Sequence, residues 1–219
     1  MNSPLRPLIL MAGFTLAAFG QSPRTQPYSA DEVTETVQTL ADGTHITHSW
    51  TDKIYSDSER RTRTERTAPE AGSPMIISIF DPVAHVRYTV NMQKKVAYKQ
   101  DIPTPANRPT LRRAPAQQPE TPESTTEKLG TQAMEGLEVE GTRTTTVWPV
   151  GSVGNDQPIT EVRELWWSRA LNAAILDKTS DPRRGETTRK LTNIVRAEPD
   201  PSRFQPPPDF QIVEEGQPR

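Results

Sequence analysis

Apolar and polar side chains alternate every second residue along most of this chain, and that period predicts strands. From Thr44 to Ser56, Ile46, His48, Trp50, Asp52 and Ile54 fall on one face and Thr47, Ser49, Thr51 and Lys53 on the other. Asp42-Gly43 just before them is a hairpin turn signal, which makes Val33 to Leu40 the preceding strand. That segment has a helical rival, because Ser29 with Glu32 forms a capping-box pattern and Val33, Val37 and Leu40 lie at helical spacing. The Val and Thr residues between 33 and 39 are stiff at the first side-chain torsion and favour the strand. Met75 to Phe80, a turn at Asp81-Pro82, Val86 to Asn91, a turn at Gln93-Lys94-Lys95 and Val96 to Lys99 continue a meander.

The same style returns after residue 128. Gly136 to Trp148 alternates, Pro149 to Pro158 is a loop, and Ile159 to Ser168 follows. In that strand Trp166 and Trp167 must point to opposite faces, so it is covered on both sides, by the curl of the sheet and by a loop or helix. Leu171 to Thr179 and Glu186 to Ala197 complete an antiparallel set around the turn Ser180 to Gly185. Asp200 to Phe204 reads as a short turn that docks Phe204, and Pro206 to Phe210 as an extended strap. The predicted class is mainly β: a strongly curved antiparallel sheet, a half-barrel-like meander.

Proline divides this pattern. Pro103, Pro105, Pro109, Pro115, Pro119 and Pro122 lie between Asp101 and Glu127, where each removes a backbone donor and pushes its predecessor towards extended conformations. Residues 101–127 are therefore expected to be a disordered, flexible insertion within one β domain, whose halves are 21–100 and 128–213, followed by a disordered tail at 214–219. Hydrophobic residues make up 32% of the 219 and mean hydropathy is −0.72, enough to line one continuous interior. The net charge of −2 gives no general attraction to nucleic acid or anionic membrane.

Residues 1–20 read as a signal peptide. Arg6 gives a positive start, Leu8 to Phe19 an apolar run of about a dozen residues, too short for the roughly 20 of a membrane span, and Ala18-Phe19-Gly20 a cleavage site. The expected location is the periplasm or the exterior, with the mature chain starting at Gln21 and carrying no transmembrane segment. There is no cysteine, which excludes a lipobox, a disulfide framework and thiolate chemistry.

Trp167-Ser168, Leu191-Thr192-Asn193-Ile194, Pro201 to Phe204 and Pro206-Pro207-Pro208-Asp209-Phe210 resemble the end of an uncharacterised family of exported bacterial β-rich proteins. Tyr28 to Asp31, Thr36 to Thr44, Lys53 to Ser58 and Phe80-Asp81-Pro82-Val83-Ala84 resemble its opening. More distantly, the strand order is similar to the half-barrels of periplasmic lipoprotein carriers, the LolA/LolB-like fold. That resemblance implies a fold and no site residues, since no motif of the carriers maps onto this chain.

Candidate chemistry is sparse. His45 and His48 face opposite sides of a strand and His85 stands alone, so no metal site is expected. No phosphate loop or nucleophile elbow is present, Gly151-Ser152-Val153-Gly154 having the wrong spacing, and no cofactor is implied. Basic clusters at Arg60 to Arg66 and Arg183 to Lys190 nominate Arg61, Arg63, Arg183 and Arg184 for an anion or anionic headgroup, against the plainer reading of solvated strands that protect an edge. The leading expectation is non-enzymatic binding on the concave face, with Trp50, Ile54, Ile77, Ile79, Leu165 and Trp167 holding an apolar small molecule, a lipid, a lipidated protein or a partner segment. A filled core with a scaffold role is the alternative. An enzyme of hydrolase type stays open through Glu161, Glu164 and Asp177.

Overall fold

The computed structural model describes residues 25–66, 76–103 and 122–215. The expected signal peptide, most of the Pro-rich insertion and residues 216–219 of the tail lie outside them. The first six strands are β1 (Tyr28–Thr39), β2 (His45–Ser56), β3 (Thr62–Arg66), β4 (Ile76–Asp81), β5 (Val86–Asn91) and β6 (Val96–Asp101). They are followed by β7 (Glu123–Met134), β8 (Leu137–Trp148), β9 (Ile159–Ser168), β10 (Ala173–Asp181), β11 (Gly185–Val195) and β12 (Gln211–Glu214), with one 3-10 turn at Pro201–Phe204. All twelve strands form a single open sheet in the order β12-β6-β5-β4-β3-β2-β1-β11-β10-β9-β8-β7. Two meanders, β1 to β6 and β7 to β11, are thus joined along the β1–β11 seam.

The capping-box segment is strand throughout, as its Val and Thr residues implied, since every residue from Tyr28 to Thr39 has a ladder partner on β2, and a ladder satisfies each backbone group that the rival helix would have to satisfy locally. Three expectations need correction. β7 begins at Glu123, inside the segment expected to be a tether, because beyond Pro122 no proline interrupts the ladder with β8. The tail is shorter than expected, as Glu214 closes β12 and pairs with Lys99. The sheet is also not wholly antiparallel, because β12 returns to lie parallel to β6.

Two clusters of buried side chains form the core. Ile54 faces Thr64, which faces Ser78, so Ile54 stands on the side opposite Ile77 and Ile79. On the Ile77 side, Ile77, Ile79, Val90 and Ala97 pack with Phe204 from the 3-10 turn, which is 1% exposed. A second cluster gathers Tyr28, Ala30, Leu191, Ile175, Trp166, Leu137, Val139 and Leu171, with Ile54 packed against it. An extra residue in β10 between Ala174 and Leu176 shifts the register with β9, and this bulge keeps Ile175 in the same cluster as Trp166. Gly141 lies opposite Trp166, and a Cβ there would sit 2.6 Å from the indole, so only glycine admits the ring.

Candidate functional site

One end of the sheet holds a cavity of about 470 Å³. Its walls are Tyr28 at the start of β1, Ser56 at the end of β2, Phe80 on β4, Val83 in the β4–β5 turn and Leu171 in the β9–β10 turn. The β4 and β10 strands are five spacings apart in the sheet, roughly 24 Å if it were flat. Their adjoining turns lining one cavity is therefore the mark of a strong curl. A backbone bond from Gln26 to the Ala170 carbonyl, 2.9 Å, ties the start of the first strand to the β9–β10 turn.

The apolar part of the wall is set locally, and Glu59, Arg60, Thr62 and Asn172 also line the cavity. Tyr28 is 7% and Leu171 1% exposed, whereas Val83 is 61% exposed at the rim. Burial, and then the nearby Glu32 carboxylate, push the Tyr28 phenol above its ordinary range. At the rim the β2–β3 turn is fixed by Asp57, itself 1% exposed, which accepts from the Glu59 and Arg61 backbone N–H groups and from the Arg61 guanidinium. That turn holds Arg60 at φ +68° beside the cavity.

The six apolar residues singled out in the sequence do not converge. Trp50 and Ile54 are half-buried on one face, and Ile77 and Ile79 have no exposure under Phe204 on the other. Leu165 is half-buried and Trp167 is 37% exposed; none of the six lines the cavity. The residues that do line it were passed over because Phe80 to Val83 reads only as a turn, and no sequence period brings that turn to Leu171.

Of the four arginines, three are engaged within the protein. Arg61 pairs with Asp57 and Glu59, and its guanidinium lies 5.1 Å from the Phe204 ring centre. Arg63 donates to Glu65 at 2.7 Å and to the Arg203 carbonyl at 2.9 Å. Arg183 binds both oxygens of Asp181, reaches Glu161 at 3.2 Å and stacks 4.8 Å from the Trp148 ring. Arg184 has no ion pair among the described residues. The three carboxylates kept for catalysis are engaged too. Glu161 bonds to Arg183, Asp177 takes Arg163 through two bonds of 2.9 and 2.7 Å, and Glu164 accepts from the Trp166 indole and from Arg143. The Trp166 bond foremost, then Arg143, holds the Glu164 carboxyl below its ordinary range, the state suited to an acceptor rather than a proton donor. His45 meets only the Thr39 hydroxyl, at 3.0 Å, and no cluster of metal-ligating side chains occurs among the described residues.

No family model and no curated protein matches the chain. Solved structures that it resembles include MucB, at 12% identity and a TM-score of 0.45, over 87% of this chain and 61% of that one. The MucA/MucB complex of Pseudomonas aeruginosa matches at 13% identity and 0.45, over 87% and 59%. A LolA superfamily protein from Nitrosomonas europaea matches at 9% identity and 0.36, over 84% and 92%. The chain spans about three fifths of the MucB chains.

Proposed function

We propose that the protein is an exported, non-enzymatic binding protein of the bacterial envelope, and that it takes an apolar ligand into the cavity between Tyr28, Phe80 and Leu171. Export rests on the Met1 to Gly20 pattern, and no helix among the described residues is long and apolar enough to cross a membrane. The observation that carries the binding reading is the cavity. Its volume of about 470 Å³ falls in the range of small-molecule sites, and its apolar wall favours a hydrocarbon chain or the apolar side chains of a partner. Catalysis is not favoured, because the carboxylates that would serve it are each held by an arginine or an indole.

Val83 is the residue for the test, being on the cavity wall and mostly exposed, so that its replacement does not disturb the core. A fluorescent fatty acid titrated into the purified protein is expected to bind saturably. Val83→Arg should weaken binding by about tenfold, by placing a charge where about 1.4 kcal/mol of apolar contact is lost. Val153→Arg, in the β8–β9 loop and away from the cavity, should leave it unchanged. Absence of saturable binding, or equal loss in both variants, would remove the proposal.

A further inference from the structure

The arginines of this sheet are mostly spent on carboxylates, and the ones that are not are informative. Arg60, Arg87, Arg184, Arg189 and Arg196 have no ion pair among the described residues, and of these only Arg184 and Arg189 line the same cavity. That cavity is a cleft of about 190 Å³ on one face of β9, β10 and β11, beside the β10–β11 turn and far from the apolar site.

Strand register builds the cleft. Asp177 faces Arg189, Thr179 faces Thr187 and Asp181 faces Gly185 across β10 and β11, so all six share a face. The turn that carries Arg184 is held against the end of β1 by Gly185, at φ +88°, where a Cβ would collide with the Val37 carbonyl. Three carboxylates also line the cleft, yet each is already taken: Asp177 by Arg163, Asp181 and Glu161 by Arg183. The hydroxyls of Thr179 and Thr187 have no hydrogen-bond partner among the described residues. What the cleft leaves unspent is thus two guanidinium groups and two hydroxyls, all donors. Glu32 is a further carboxylate on this face, one strand along on β1. It forms no ion pair with Arg189; burial foremost raises its carboxyl above the ordinary range, and the Arg189 charge pulls the other way.

We propose that Arg184 and Arg189, with Thr179 and Thr187, form a site for a small tetrahedral or planar oxyanion, a phosphate or carboxylate group. Guanidinium groups match such oxygens in pairs, and the cleft's volume suits one such group with its water rather than a whole lipid or sugar chain. The site is independent of the apolar cavity and stands or falls without it. The oxyanion can arrive free or as the exposed headgroup of a lipid, and the same two arginines serve either.

Inorganic phosphate titrated against the labelled protein, followed by the amide resonances of Gly185 and Thr187, tests this. Saturable shifts of those amides are expected, with a dissociation constant on the order of millimolar, as befits two exposed charge-assisted contacts. Arg184→Gln together with Arg189→Gln should weaken phosphate binding at least about tenfold without changing the melting temperature, since both side chains are exposed. Arg87→Gln, an unpaired arginine outside the cleft, is the control that should bind as the parent does. Vesicles of phosphatidylglycerol or phosphatidylcholine identify the source. Sedimentation with the first alone, lost in the double variant, assigns a headgroup, and phosphate binding without vesicle binding assigns a free anion. No saturable shift, or shifts that persist in the double variant, would overturn the site.

Discussion

Glu32 shows how one residue sets a pH dependence. It is half-buried on β1, facing Asp52 on β2, and burial outweighs Arg189 in raising its pKa. A folded-state pKa above the unfolded value means that the native protein holds the proton more tightly, so stability falls as pH rises from the ordinary carboxylate range through the raised value. Above that range the full cost of the buried charge remains. Glu32→Gln is therefore expected to raise the melting temperature at neutral pH by a degree or so, partial exposure discounting the effect, and the gap should close in acid. Thermal melts across pH check it, and a gap that widens in acid would contradict it. Asp181 has the opposite sign, because Arg183 foremost lowers its pKa and its contribution is lost as pH falls through that lowered value. Neither direction was legible in the sequence. Glu32 entered only a rival capping-box pattern, and Arg183 was nominated for an outside anion, because the surroundings of each side chain are fixed by strand register and turn geometry that alternation does not report.

Among the elements, the C-terminal strap separates two kinds of attachment. Phe204 is wholly buried against Ile77 and Ile79, whereas β12 holds the sheet edge by four parallel pairings and the exposed pairs Lys95–Asp209 and Lys99–Glu214. Burial of an aromatic ring outweighs exposed ion pairs of about 0–1 kcal/mol each. Phe204→Ala should cost about 3–5 kcal/mol in urea unfolding. Ending the chain after Phe210 should cost much less, yet it should speed hydrogen exchange along β6, and equal costs would mean that β12 is the true anchor. The docking of Phe204 was readable from its residue type, whereas the run from Pro206, expected as an extended strap, closes in a turn in which the Phe210 N–H donates to the Pro207 carbonyl at 3.1 Å. β12 was not readable, since four residues carry no period, and β7 was missed for a related reason. From Glu123 to Met134 it is exposed nearly throughout, so the alternation that marks a half-buried strand is absent. The strands that were found, β1, β2, β4 to β6 and β8 to β11, are those with at least partly buried positions to pattern against.

At the scale of the whole molecule, the two meanders and their union in one sheet were legible, but the seam that joins them was not. Alternation reports which residues share a face, and it is silent on which strand lies beside which. The segment from Ile102 to Pro122 is more than an insertion between halves, because it carries the chain from β6 near one edge of the sheet to β7 at the other. Each half also holds strands whose partners belong to the other, β1 with β11 and β6 with β12. A protease site engineered between residues 104 and 121 and then cut should leave the two fragments together in one peak on size exclusion. Fragments that part and melt independently would show two domains instead of one. The β1–β11 seam has a last consequence, for the order of events on the ribosome. Val33 meets Lys190, and β6 meets its guard strand only with Gln211 to Glu214, so a nascent chain completes the first meander long before either neighbour exists. Until the C-terminal strands have emerged, that meander presents two bare edges, the state in which strands recruit wrong partners.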